Sequence, residues 1–234
     1  MRIPADGQAP LGVVIPARNE AVRLGCLLAD LQRAPALVRE LVVVDGDSGD
    51  GTAAVARLAG ARVLPHAPCR GGQLAAGVAA GSAPWLLLLH ADVRLPPDWP
   101  GAVRQALALG EDRAWAFRLR IEGRHPALRL VELAVALRIR WRRLPYGDQG
   151  LLVSRRLLAA AGGIAPLPLM EDLDLVLRLR RRAAIGCLGA ALRVDGRRWR
   201  RLGIWRTGLA NARLRRAWRR GVSAGELARR YYGR

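Results

Sequence analysis

Trp85-Leu86-Leu87-Leu88-Leu89-His90-Ala91-Asp92 is an apolar run that ends abruptly in polar residues. Five apolar side chains in a row, without alternation, describe a strand covered on both faces, as in a parallel sheet packed between helices. Working outward, residues 11–15, 41–44 and 62–64 read as further buried strands. Residues 21–31, 51–59 and 73–80 between them read as helices, with Ser48 or Asp50 able to cap the second. Strands joined by crossover helices predict an α/β fold with a Rossmann-like, mainly parallel sheet.

Trp115, Phe117, Leu119 and Ile121 alternate with Ala116, Arg118 and Arg120. One buried and one wet face predicts an antiparallel or edge strand, which makes the sheet mixed. Residues 127–140 follow as an amphipathic helix, with Leu130, Leu133, Val135 and Leu137 supplying much of its apolar content. A short strand at 150–153 and helices at 155–161 and 171–182 come next. The organisation expected is one domain over 1–234: a nucleotide-binding half at 1–110, a catalytic and acceptor half at 111–196, and a basic helical tail at 197–234.

The 39 basic residues, all arginine, outnumber 19 acidic ones and leave a formal charge of +20. Such a field favours anionic partners: nucleic acid, an acidic membrane surface or phosphorylated small molecules. Cys26, Cys69 and Cys187 fit neither a disulfide framework nor the paired spacing of a zinc site, so a reduced, cytoplasmic compartment is expected. Residues 1–10 lack the features of a signal peptide, and no run approaches the roughly 18 apolar residues of a spanning helix.

In an open parallel sheet, ligands sit beyond the carboxyl ends of the strands. Four such ends carry polar residues: Pro16-Ala17-Arg18-Asn19-Glu20, Asp45-Gly46-Asp47-Ser48, the Arg70-Gly71-Gly72-Gln73 turn and His90-Ala91-Asp92. Asn19, Asp45 and Asp50 are also ordinary turn and cap residues. Asp92 at a strand end can hold a hard divalent ion that bridges to a diphosphate, and Mg2+ or Mn2+ neutralises a departing nucleotide diphosphate. His90 reads as a metal ligand, a partner of one, or a core histidine.

The order of Pro16 to Glu20, Asp45 to Thr52, His90-Ala91-Asp92 and Met170-Glu171-Asp172 resembles family 2 glycosyltransferases of the GT-A fold. The likeness is closest to a bacterial subgroup of small soluble members with the Leu-His-Ala-Asp motif, the Gly147-Asp148-Gln149-Gly150 turn and the Gly196-Arg197-Arg198-Trp199 segment. The resemblance implies a nucleotide cradle at Pro16, Ala17, Arg18 and Glu20, helped by Arg70, Gln73 and Ala91. It places Asp45 near the base or ribose and Asp92, with His90, at the metal. Departures are Asp45-Gly46 for a common Asp-Asp pair, Ala75 for an asparagine, and His90 for the first aspartate of Asp-x-Asp.

Asp172 matches the family's catalytic base, with Glu171 beside it. An inverting transfer needs one carboxylate to take the acceptor hydroxyl's proton. Both could instead serve a helix N-terminus electrostatically. Gly147, Asp148 and Gln149 resemble an acceptor or donor-sugar loop, and Arg198 with Trp199 an arginine-tryptophan pair over acceptor and diphosphate. An arginine fork suits phosphate and an indole face suits a sugar.

The function expected is an inverting hexosyltransferase acting on a nucleotide diphosphate sugar, UDP before GDP, and on a hydroxyl acceptor that is lipid-linked or a small metabolite. Arg213, Arg215, Arg216, Arg219 and Arg220 around Leu214 and Trp218 could lie on an anionic membrane at its inner face. A nucleotidyltransferase would need a Gly-rich loop after the first strand, where Pro16 to Glu20 stand instead. A nucleic-acid-binding module would use the arginines and tryptophans, against the acidic strand ends.

Overall fold

The computed structural model describes residues 9–233. The opening segment judged not to be a signal peptide lies outside them except for Ala9 and Pro10. Strands β1 (Leu11–Ala17), β2 (Val38–Asp45), β3 (Arg62–Pro65) and β4 (Trp85–Leu88) are joined by helices α1 (Ala21–Leu31), α2 (Thr52–Leu58) and α3 (Arg70–Ala79). They lie parallel in the order β3-β2-β1-β4, with Val13 beside both Leu41 and Leu87. All seven residues of β1 are buried, as an unalternating apolar strand requires.

The chain then forms β5 (Val93–Arg94), α4 (Trp99–Ala108), β6 (Arg113–Ile121), α5 (Pro126–Arg142), β7 (Leu151–Ser154), α6 (Arg155–Ala160), α7 (Glu171–Leu179) and β8 (Ala184–Val194). β7 pairs antiparallel with β4, and the sheet continues β7-β6-β8-β5 to eight strands. The architecture is mixed, mostly parallel α/β. Helices α8 (Arg197–Leu202), α9 (Ile204–Arg219) and α10 (Ala224–Tyr232) complete it as the basic helical C-terminal segment.

Side chains alternate between two cores. Val13 and Ile15 face one with Leu24, Trp99 and Phe117, while Val14 faces the other with Leu74, Leu158 and Leu173. Leu227 of α10 is buried in the second core, so the C-terminal helices are tied to it. Truncating the fully buried Phe117 to alanine would cost roughly 3–5 kcal/mol.

β6 is antiparallel to β7, one of the two arrangements expected, and β8 pairs parallel with its other side, so it lies inside the sheet. Other expectations need correction. β8 escaped the sequence reading because Gly186 and Gly189 interrupt its apolar pattern. The alternation in β6 is confined to its end. A register irregularity between Ala116 and Arg118 lets Ala116 and Phe117 both be buried, after which Arg118 and Arg120 face water.

Helix α5 buries Leu128, Val135 and Ile139 and exposes Leu130 and Leu133. Two residues correspond to roughly 200° of rotation, so Leu128 and Leu130 cannot share a face. Arg70 to Gln73 is the first turn of α3 rather than a turn before a helix starting at Gln73. In α9, Leu214 and Trp218 pack against the second core and so are not the apolar face of a membrane contact.

Candidate active site

The loops after β1 and β2 are fastened to each other. Asn19, in the left-handed region at φ 54°, accepts at Oδ1 from the Gly49 amide at 2.8 Å and donates its own amide to Ser48 Oγ at 3.0 Å. The Glu20 amide donates to Thr52 Oγ1 at 2.9 Å, and that of Ala21 to Asp50 Oδ2 at 3.2 Å. Asp50 also accepts from the Thr52 amide, satisfying first-turn donors of both α1 and α2. Gln73 braces the strand ends from beneath, its Nε2 donating to the Val44 carbonyl at 2.8 Å and the Ala17 carbonyl at 3.3 Å.

Beyond these ends lies a cleft of about 770 Å³. Pro16, Ala17, Arg18, Glu20, Arg70, Gln73, His90, Ala91 and Asp92 line one part of it. Asp148, Asp172, Arg198 and Trp199 line another. Asp45 closes β2 beside the rim but is not among the lining residues. Its Oδ2 accepts from the Ser48 amide at 3.3 Å, and its Oδ1 is buried without a partner.

Arg197 occupies the acidic side. Its guanidinium pairs with Glu20, lies 3.1 Å from Asp195 Oδ2, and is 3.7 Å from Asp92 Oδ2. Asp195, buried at the end of β8, is also met by Arg23 at 2.6 Å and Arg200 at 3.4 Å. The side-chain hydrogen bond to Glu20 and these carboxylates raise the Arg197 pKa against the cost of its partial burial. A guanidinium among three carboxylates marks this as a place where positive charge is stabilised.

On the other side, Asp172 Oδ2 accepts from the Gly147 amide at 2.7 Å. The approach is so close that a Cβ on Gly147 would lie 2.8 Å from His90 Nε2 and 3.1 Å from Asp172 Cβ. Gly71 has the same function one layer away, where a Cβ would lie 2.3 Å from the Ala165 carbonyl oxygen. Its amide donates to the Leu167 carbonyl at 3.0 Å, holding the loop before α7 against α3. Met170, left-handed at φ 67°, then turns the chain into α7.

Glu171 is 1% exposed. Arg70 Nη1 lies 3.5 Å from its Oε1, while Oε2 is buried without a partner. Burial pushes its pKa up to about 7, with Arg70 opposing and Asp172 assisting the rise. Burial of Arg70 disfavours its charge, yet Glu171 and the other nearby anions raise its pKa and keep it a cation. Burial and Arg70 push His90 down to about 3, against Asp172, so its imidazole is neutral.

Residues Gly147–Gln149 form a 3-10 turn. Gln149 is fully buried, its Oε1 accepting from Arg138 and the Tyr146 amide and its Nε2 donating to the Phe117 carbonyl. Its polar atoms are consumed in holding the turn to β6 and α5. Asp148 instead lines the cleft, with Oδ1 buried and unpartnered. Burial pushes its pKa up to about 6, Arg138 opposing.

The structure thus gathers most of the foreseen residues in one cleft, while Glu171, Gly147 and Gln149 stand behind its wall. Sequence reasoning missed Tyr146, Asp195, Arg197, Arg215, Tyr231 and Tyr232, which also line it. Asp195 had a legible signal, as the first acid after an apolar stretch. The residues of α9 and α10 had none, because only the packing of Leu214, Trp218 and Leu227 turns that segment over the cleft.

A mixed sheet of this order with an acidic rim beyond its parallel strands is a GT-A-like fold. The family model for glycosyl transferase family 2 matches residues 12–164, and the chain belongs to that family. It is a nucleotide-sugar-dependent enzyme. Among solved structures it is similar to glucosyl-3-phosphoglycerate synthase from Mycobacterium tuberculosis in complex with Mn2+, UDP and glucosyl-3-phosphoglycerate. The two are 24% identical, with 80% of this chain and 70% of that one covered at a TM-score of 0.59. The same synthase with Mn2+ and UDP-glucose matches with the same coverage, identity and TM-score. Residues 1–349 of S. aureus TarS match at 15% identity over 80% of this chain and 60% of that one, with a TM-score of 0.67.

Proposed function

We propose that the protein inverts the anomeric centre as it moves a sugar from a UDP-sugar to an acceptor hydroxyl, with Asp172 as the base. The observation that carries this reading is that Asp172, fixed by the Gly147 amide, lines the same cleft as Asp92. The acceptor oxygen attacks the anomeric carbon and passes its proton to the Asp172 carboxylate. The bond from that carbon to the diphosphate oxygen breaks, and the nucleoside diphosphate leaves. Such proton transfer contributes about 10²–10⁴-fold.

On the donor side, the unpartnered Asp45 Oδ1 supports a place opposite an N–H of the base or a ribose hydroxyl. Arg18, Glu20 and Ala91 line the cleft where the ribose and diphosphate would lie, and Gln73 keeps the two strand ends in register. Among the described residues, no group of three His, Cys, Asp or Glu is arranged to hold a metal ion. The acidic side nevertheless stabilises a cation, the Arg197 guanidinium, next to Asp92. Asp92 would therefore hold Mg2+ or Mn2+ together with diphosphate oxygens, His90 standing by as a neutral imidazole. The ion would supply Lewis-acid stabilisation of the leaving diphosphate. The complexes of the mycobacterial synthase with Mn2+ and UDP favour this donor and metal class.

A thermal-shift panel of nucleotide sugars with and without Mn2+ tests the reading. UDP-sugars with Mn2+ should raise Tm most. A panel without any shift would count decisively against it.

We infer that a contact with an anionic membrane would use a different stripe from the one the sequence suggested. Trp205, 69% exposed, shares a helical face with exposed Leu209, Arg213, Arg216 and Arg220. No helix among the described residues is long and apolar enough to cross a membrane. Sedimentation with phosphatidylglycerol vesicles at low salt should depend on Trp205, and sedimentation unchanged in Trp205→Ala would remove this reading.

A further inference from the structure

The cleft has a wall that belongs to neither the strand ends nor the matched family segment. It is made by α8, α9 and α10, which contribute Arg198, Asn211, Arg215, Tyr231 and Tyr232. Two of the arginines facing the cleft are committed to carboxylates, Arg70 to Glu171 and Arg197 to Glu20, Asp92 and Asp195. Three others, Arg18, Arg198 and Arg215, are in no ion pair among the described residues; Arg18 follows β1 at the strand ends, and the other two belong to the C-terminal wall.

Arg198 lies with its guanidinium 3.9 Å from the centre of the Tyr231 ring, and its Nε is buried without a hydrogen-bond partner. Arg215 is half-buried, 5.0 Å over the Tyr146 ring, whose other cation is Arg138 at 3.7 Å. Arg138 gives its Nε to the Leu144 carbonyl and its Nη2 to Gln149 and does not line the cleft, so Arg215 is the guanidinium of this pair that faces a ligand. Aromatic faces orient both free forks without consuming their N–H donors. A buried donor left unpartnered in the absence of ligand is costly, and an anion would satisfy it.

Tyr146 immediately precedes the turn that carries Asp148 and fixes Asp172. Arg215, over the Tyr146 ring, therefore stands on the Asp172 side of the cleft, and Arg198 stands against Tyr231 of the C-terminal wall. Taking the proposed function as given, we propose that the C-terminal helices build the acceptor subsite and that the acceptor carries a phosphate group besides its reacting hydroxyl. Arg215, with Arg198, grips the phosphate by charge-assisted forked hydrogen bonds. The hydroxyl lies toward Asp172. The phosphate can belong to a soluble metabolite or to a lipid headgroup, since the grip is the same.

The test uses the full chain saturated with UDP and Mn2+ and measures binding of glycerol, glycerol 3-phosphate and phosphatidylglycerol vesicles to wild type and to Arg215→Gln. The phosphate compound should bind at least tenfold more tightly than glycerol, and Arg215→Gln should lose at least tenfold while its UDP affinity stays within about twofold. Retained UDP binding shows that the variant is folded. Binding of free glycerol 3-phosphate supports a soluble acceptor. Binding confined to vesicles, and lost in Arg215→Gln, supports a lipid one. Equal binding of glycerol and glycerol 3-phosphate with no Arg215-dependent vesicle binding overturns the subsite, as does an Arg215→Gln variant that matches wild type. If UDP fails to bind but glycerol 3-phosphate binds through Arg215, the donor reading falls and the anion subsite stands.

Discussion

The backbone amide of Gly147 donates to Asp172 Oδ2 at 2.7 Å, linking the turn before β7 to the first turn of α7 across 25 residues. The proposed base is thus aimed by a glycine whose own side would otherwise touch His90. One hydrogen bond joins the Gly147–Gln149 turn to the proposed base.

Gly147→Ala should therefore disable transfer without emptying the donor site. The added Cβ meets His90 Nε2 at 2.8 Å and Asp172 Cβ at 3.1 Å, so the carboxylate must move. Displacement on the order of 1 Å costs about 10²-fold in rate. Steady-state transfer should fall by that order, while the Tm increment given by UDP and Mn2+ remains.

Asp172→Asn keeps the shape but removes the base, and its single oxygen can accept from the Gly147 amide or the Leu173 amide but not from both. Transfer should drop by roughly 10²–10⁴-fold with donor affinity unchanged. Isothermal titration with UDP separates the two outcomes, and lost UDP binding would take Asp172 out of the base role.

Arg197 is the cation already present among Glu20, Asp92 and Asp195. Arg197→Ala should expose that cluster and tighten Mn2+ binding in the absence of nucleotide, by about tenfold if the loss of one neighbouring charge dominates. Electron paramagnetic resonance titration of free Mn2+ reads this directly. Unchanged or weaker binding would show that Arg197 positions the carboxylates rather than competing for them.

Glu171 gives a signature in stability against pH. Its folded pKa is raised by burial to about 7, above the ordinary 4.5. The folded state therefore prefers the protonated acid, and this contribution is whole below about pH 4.5 and lost as pH rises through about 7. His90, pushed down, acts with the opposite sign, so the comparison must be made against Glu171→Gln. Relative to wild type, Glu171→Gln should gain on the order of 3 kcal/mol between pH 4 and pH 8. Urea melts at the two pH values measure it, and parallel profiles would mean that Glu171 titrates normally.

Much of the site is legible in the sequence. The unbroken apolar runs of β1 and β4 demand burial on both faces, which fixes a parallel core and sends Glu20 and Asp92 to one rim. Gln149 was less readable. Its place in a polar turn resembled an acceptor contact, but its bonds to Phe117, Tyr146 and Arg138 show it holding the turn instead. A side-chain amide serves either purpose equally well, and only its neighbours distinguish them.

By itself the sequence determined the sheet core, its ligand-binding edge and the order of the acidic strand ends, because hydrophobic periodicity acts locally. Only the tertiary structure decided that β8 fills the flank of β6 and delivers Asp195 and Arg197 to Asp92. It also decided that an arginine-rich tail folds back as a wall of the cleft, with Leu214 and Trp218 inward and Trp205 outward. The physical reason is that charge and amphipathicity specify a helix's faces, whereas the partner each face meets depends on contacts between residues far apart in the chain.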